Sequence, residues 1–532
     1  MKKTLVALLL AIAMLLSMSA MAVVSPALPY EGDAIVYHCF GADLVPENKE
    51  NAVYGEFQKL IGNVELDWEV VPISDIDTKN KVYLNSGEIP DLMWTRGNTS
   101  VIQTYGDMNY WLDLSPYMDE YMVNYKWWFE NKLHMKPLIG ENGEIYCVVD
   151  VDPYDYMSET WFYNKTALDA LGYTEPPKTW DEMYEMMIAY RDANPDGIAM
   201  WPSATNLGGY MYYLSQLGGW ETDEWYFNEE TEQWDNAIVN GDSGYKDLVA
   251  LMNNLYTEGL IHSEFDALSK DTRNQRVLDG LWLFGCYYHA TPETEIFANG
   301  NDMQYELGTF TTPALKEGDP RYGIITVSSN SLGGWAYFAA AEVEKPEVMA
   351  SLMDLCISEE LTNLINWGIK GISYDVDENG KEYFLDDYAT NKEKQDELGF
   401  ATLHLGRMVH NSSWFVSFAK NASKAPVGNI AQDLLCDDFR NGELTHMLSS
   451  RSTPTFTTEE NDTLAISKTP MNTYLNENVI LFVTGDRPMD EWDAFVEEYK
   501  SMGNLEEVLS IYNNAPQIIR DMSTNFPDFI DN

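Results

Sequence analysis

The residues best suited to do chemistry in this chain are aromatic, and the chemistry they suit is recognition. Trp, Tyr and Phe make up 13% of 532 residues, with 16 tryptophans. A sugar ring has an apolar C–H face and a rim of hydroxyls, so it stacks on indole while side chains and amides bind its edge. A platform burying about 100 Å² contributes on the order of 2–3 kcal/mol at about 25 cal/mol/Å². A micromolar complex corresponds to about −8 kcal/mol, so two or three stacked rings supply much of it. Trp201 and Trp220 flank WPSATNLGGYMYYLSQLGGW, where glycine permits close backbone approach. Trp94 and Arg96 stand at the exit of SGEIPDLMW, Trp161 and Tyr163 lead a helical block, Trp335 follows a Gly-Gly pair, and Trp367 sits in NWGIKG.

Catalytic motifs are missing from the sequence. It has no HExxH, GxSxG or P-loop, and its seven histidines lack metal-ligand spacing. A glycoside hydrolase needs only two carboxylates at a suitable separation, so composition leaves that class open. Asp192, Asn194, Asp196 and Gly197 start like a calcium loop, but Ser203 stands where a bidentate Glu belongs. Asp375, Asp377, Asn379, Gly380 and Asp386 repeat the spacing with Asp at the last position. Both read as turns, and no cofactor or metal is expected.

Lys2 and Lys3, an apolar run from Leu5 to Leu16 and the small residues up to Ala22 describe a secretory signal peptide over residues 1–22. The run is shorter than the roughly 20 residues a membrane-spanning helix requires. The first cysteine is Cys39, so lipid anchoring at the cleavage point is not expected. The protein is therefore expected outside the cytoplasmic membrane, extracellular or periplasmic.

A formal net charge of −52 repels phosphate backbones and anionic lipid, which excludes nucleic acid and membrane surfaces as natural partners. An anionic sugar would need a local basic cluster; Arg96, Arg273, Arg276, Arg321, Lys370 and Arg407 are available. The five cysteines are odd in number and widely spaced, and are read as buried free thiols.

The elements that must position these residues alternate between strands and helices. Thr179 and Glu182 form a capping-box pattern ahead of Trp180, Met183, Tyr184, Met187 and Ile188 at helical spacing. A second apolar stripe runs from Tyr245 to Tyr256. A third starts at Pro346 and continues through Cys356 towards Gly368, and a fourth is expected behind an Asp490 cap. Leu281–Cys286 and Gly323–Val327 read as strands. That alternation predicts α/β lobes.

Five blocks, in order, resemble the bacterial extracellular solute-binding proteins. SGEIPDLMW is similar to their "SGDLPDV" turn and strand. YNKTALDALGYTEPPKTWDEM (Tyr163 to Met183) and NLYTEGLIHSEF (Asn254 to Phe265) match two further blocks. The segments Glu344 to Phe384 and Leu475 to Gly503 match the large oligosaccharide-binding subgroup that includes alginate- and lipoprotein-like receptors.

The resemblance implies an α/β, two-lobe periplasmic-binding-protein fold of type II, with an interlobe ligand cleft and extra C-terminal helices. It implies lobe 1 over residues 31–155 and 326–365, lobe 2 over 156–325, a lobe 2 and hinge region over 366–475, and a C-terminal helical segment over 476–532. It further implies a monomer that binds a carbohydrate, closes around it and docks on the permease subunits of an ABC importer. The ligand-binding candidates are Trp94, Arg96, Trp161, Tyr163, Trp201, Trp220, Trp335 and Trp367. A peptide receptor on the same fold and a secreted glycoside hydrolase are the alternatives.

Overall fold

The computed structural model describes residues 26–42, 49–72, 75–96, 99–131, 143–149, 156–157, 159–201, 206–288, 292, 304–326, 335–377, 382–388, 391–399, 426–447, 452–454 and 456–519. The expected signal peptide lies outside them. The chain divides into two compact units. One comprises Met1–Pro153 and Ser328–Lys420, the other Tyr154–Val327 and Asn421–Asn532. Residues 366–420 thus belong to the first unit, whereas the sequence reading assigned them to the second lobe and hinge.

The first unit is built on a five-stranded sheet. Its strand order is Gly62–Val71, Tyr30–Ala42, Leu92–Arg96, Trp335–Ala339 and Cys147–Val149. Tyr30–Ala42 runs parallel to both neighbours, while Trp335–Ala339 is antiparallel to Leu92–Arg96 and to Cys147–Val149. The three strands Leu92–Arg96, Trp335–Ala339 and Cys147–Val149 have their described side chains buried on both faces, whereas Gly62–Val71 and the first half of Tyr30–Ala42 alternate with exposed residues. In SGEIPDLMW, Ser86 ends the helix Ile76–Ser86 and Gly87 takes the left-handed cap at φ 75°. The Asp91 carboxylate then accepts the His38 amide at 2.8 Å, tying this turn to the strand Tyr30–Ala42.

The Pro346 stripe forms two helices, Pro346–Leu355 and Glu359–Asn366, because the Ser358 hydroxyl caps a new start at Leu361 N. Asp354 on the first of these is fully buried. Its carboxylate accepts Asn124 Nδ2 and Tyr125 N at 2.8 Å each, and Asn124 N at 3.4 Å. It therefore caps the helix Val123–Asn131 from across the unit.

The second unit holds a four-stranded sheet in the order Leu307–Phe310, Glu159–Asn164, Trp282–Tyr288, Ile198–Met200. The Thr179–Glu182 capping box forms as read, and the helix Trp180–Ala193 buries Met183, Met186, Met187 and Tyr190. The 27-residue helix Thr458–Thr484 runs straight through the predicted boundary at 476 and tolerates Pro470 in its interior. The Asp490 cap does not form: Met489–Glu491 is a 3₁₀ turn with no side-chain cap, and the helix begins at Trp492.

All five cysteines are buried and free, as their spacing suggested. Asp192 ends a helix and pairs with Arg191, and Asp375 lies in the hairpin Tyr374–Val376/Glu382–Phe384. Among the described residues there is no group of three or more potential metal ligands, and no helix is long and apolar enough to cross a membrane.

Candidate functional site

Open α/β sheets bind ligands beyond the carboxyl ends of their parallel strands. In the first unit those ends are Ala42, Arg96 and Val149, and the antiparallel strand begins beside them at Trp335, in register with Arg96. The chain leaves this unit after Pro153, returns at Ser328 and leaves again after Lys420; the first two of these three passages follow Val149 and precede Trp335, at this same edge. Residues directly paired in register share a face. Leu92 pairs with Cys39 and Trp94 with Tyr337, and Cys39 pairs with Trp68 on its other side. Trp68 and Tyr337 lie with ring centroids 6.4 Å apart, and the Trp68 ring crosses Gly41 at 3.2 Å from where a Cβ would stand. Trp68 was missed by the sequence reading. The alternation in VELDWEVV combined with a glycine in the neighbouring strand was the available signal.

In the second unit the corresponding edge is formed by Met200–Trp201, Tyr287–Tyr288, Glu159–Thr160 and Phe310. The Tyr287 hydroxyl donates to the Trp201 carbonyl at 2.6 Å, and Trp201 meets His262 edge-on at 5.8 Å. Gly285 makes that approach possible, since a Cβ there would stand 2.5 Å from Trp201 O. Gln216 is fully buried: its amide donates to Tyr213 O at 3.2 Å, and Thr312 Oγ1 and Ile324 N lie 3.4 Å from its oxygen. The incoming strand Tyr156–Met157 and the outgoing strand Tyr322–Thr326 pair with each other through Ile325–Met157 and Thr326–Tyr156.

Six of the eight candidate residues have described side chains, and all six are buried. Trp94 is 5% exposed, Trp161 0%, Tyr163 8%, Trp201 1%, Trp220 9% and Trp367 6%. A ring that closed presents at most an edge to solvent, so these side chains are packed into their units, and of the six Trp94, Trp161 and Trp201 lie nearest the strand ends. Trp161 and Tyr163 both lean on Phe310, at 5.9 and 6.0 Å. Trp220 packs over Gly244 and Gly218, and Trp367 stacks with Tyr374 and Phe384 away from the strand ends. Arg96 and Trp335 are brought together by backbone register; their side chains lie outside the described residues.

Behind Trp220 stand three carboxyls in a row. Burial, then the charges of Asp223 and Glu229, push Glu221 up to about 7. Burial also raises Asp223 and Glu224. Glu224 accepts from the Tyr499 hydroxyl, which also receives Asn236 Nδ2 at 2.8 Å, and Lys468 nearby bonds the Tyr512 hydroxyl at 2.5 Å. This network binds the C-terminal helices to the hairpin Trp225–Asn228/Gln233–Asn236. A groove between the helices Ala52–Ile61 and Glu359–Asn366 has mixed charge, from Glu56, Lys59, Glu360 and Lys370, and is walled by helices instead of strand ends.

The family described as bacterial extracellular solute-binding protein matches residues 42–360, and the chain belongs to it. Its relatives include lipoprotein LipO of Bacillus subtilis (strain 168), 23% identical over 330 residues, covering 59% of this chain and 62% of that one. The polygalacturonan/rhamnogalacturonan-binding protein YtcQ of the same organism is 23% identical over 363 residues, covering 65% and 66%. The chain thus spans just under two thirds of the length of these curated relatives. Among solved structures, the alginate-binding protein AlgQ2 without calcium ion superposes with a TM-score of 0.70 at 16% identity, covering 92% of this chain and 99% of that one. That likeness establishes the α/β fold of two-lobe solute-binding proteins.

Proposed function

We propose that this protein is the extracellular binding component of an ABC importer that captures an oligosaccharide and delivers it to a membrane permease. One observation carries the reading beyond family membership. In each unit the carboxyl ends of the strands gather aromatic and polar groups, and two of the three passages of chain between the units connect to that edge in the first unit. Trp94, Arg96 and Trp335 in the first unit, and Trp161 and Trp201 in the second, stand at these edges and are the residues assigned to the sugar, while Tyr163 lies further along its strand. Trp220 and Trp367 pack elsewhere, against Gly218 and Gly244 and against Tyr374 and Phe384, and are not assigned to it. A relative named as polygalacturonan/rhamnogalacturonan-binding and a fold neighbour named as alginate-binding favour a carbohydrate over a peptide.

The protein acts as an exported monomer, without cofactor and without turnover of its ligand. Calorimetry against oligosaccharide and peptide panels tests the assignment, with product analysis on the same samples. Stoichiometric binding of an intact oligosaccharide at micromolar affinity supports it. Binding of peptides alone, or multiple turnover of a glycan, overturns it.

A further inference from the structure

We propose that Arg273 reads a carboxylate on the ligand, so that the sugar is an acidic one, a uronic-acid oligosaccharide. The inference rests on the oligosaccharide reading above and narrows it.

Arg273 lies on the helix Lys270–Leu278 in the second unit and is 3% exposed. Its Nε and Nη2 both donate to the amide oxygen of Asn274, at 3.0 and 2.7 Å. The Nη1 side has no acceptor among the described residues. The guanidinium stands 6.0 Å from the centroid of the Tyr287 ring, the outer limit for a cation over an aromatic face. Its charge also acts on the buried Tyr210 hydroxyl. Tyr287 is hydrogen-bonded to Trp201, so Arg273 sits at the strand-end edge of the second sheet.

The absence of a carboxylate here is informative because carboxylates are abundant. The chain has 85 acidic residues against 33 basic ones. Arg191, Arg321, Arg440 and Arg487 each pair with Asp or Glu, and the more exposed Arg276 bonds the Asp196 carbonyl. Among the described arginines, Arg273 combines near-complete burial with no acidic partner. Burying a charge without a counter-ion is costly, so such a residue is held for a partner that arrives from outside. A guanidinium with one free edge matches a carboxylate in a two-point, planar fashion that a neutral hydroxyl does not reproduce. The protein's overall negative charge does not prevent this, because salt screens exposed charges within about 8 Å while a buried pair is screened far less.

The test is calorimetry of the full chain with galacturonate and mannuronate or guluronate oligomers, their methyl esters, and neutral oligosaccharides of equal length. The wild type should bind the acid at least about 30-fold tighter than its ester, the lower range for a truncated buried charge contact. Arg273→Gln should reduce that ratio to within about threefold while leaving neutral-sugar binding unchanged. Arg273→Lys, which keeps the charge but loses the fork, should fall between. The acid–ester comparison on the wild type stands even if Arg273→Gln does not fold. Equal affinity for acid and ester, equal loss for both in Arg273→Gln, or binding of neutral sugars only would overturn this inference and leave the oligosaccharide reading intact. No binding of any saccharide would overturn both.

Discussion

Asp354→Asn tests which of two opposed electrostatic effects governs the interior of the first unit. The Asp354 carboxylate is fully buried yet accepts three N–H groups at the start of the helix Val123–Asn131. Hydrogen bonds and the helix dipole favour the anion there, while removal from water disfavours it. Desolvation wins, and the carboxyl is raised to about 6 from 3.8. Its ionisation therefore costs about 3 kcal/mol in the folded state, at about 1.36 kcal/mol per pH unit. A raised acid contributes stability that is fully present below pH 3.8 and lost as pH climbs through 6.

The chain's acidic pI, near 4.2, favours precipitation at the low end, so urea unfolding should be followed from pH 5 to 8. About half of the effect, roughly 1.5 kcal/mol, remains in that window. Asn is neutral throughout, but it turns an amide towards donors that the carboxylate accepted, a penalty of about 1–3 kcal/mol. The variant should be clearly weaker than wild type at pH 5, and the deficit should shrink by about 1.5 kcal/mol by pH 8. A deficit that stays constant, or grows with pH, would mean that the amides outweigh burial, and the reasoning fails.

Trp94→Ala should cost about 3–5 kcal/mol in urea unfolding, because the ring is walled into the first sheet. Trp94→Phe should recover most of that; a small effect of both would mean the ring is dispensable packing. Gly285→Ala should destabilise by about 1–3 kcal/mol, since its Cβ meets the Trp201 carbonyl at 2.5 Å. A thermal melt that does not shift would contradict the close approach. A thiol reagent should leave the native protein unlabelled and modify all five cysteines in urea, with the melting temperature indifferent to reductant.

Sequence and structure divided the work in a way that particular residues explain. The Thr179–Glu182 box, the Tyr245–Thr257 helix and the two-lobe α/β class were legible because each rests on local spacing or on ordered blocks. The Asp490 cap failed, and the Pro346 stripe broke at Ser358, where competing local hydrogen bonds were equally available to the chain. Trp68 escaped notice because its neighbours, Gly41 and Tyr337, are distant in sequence and meet it only through sheet register.

For the site the division is sharper. Aromatic abundance, acidity and the SGEIPDLMW block are properties of the chain alone, and they sufficed for a solute-binding protein with sugar-suited residues. Which tryptophans are buried, that Asp354 caps a helix some 230 positions away, and that Arg273 has no acid partner among the described residues were decided only by folding. Burial and pairing are relations between distant segments, and composition and spacing carry no record of them.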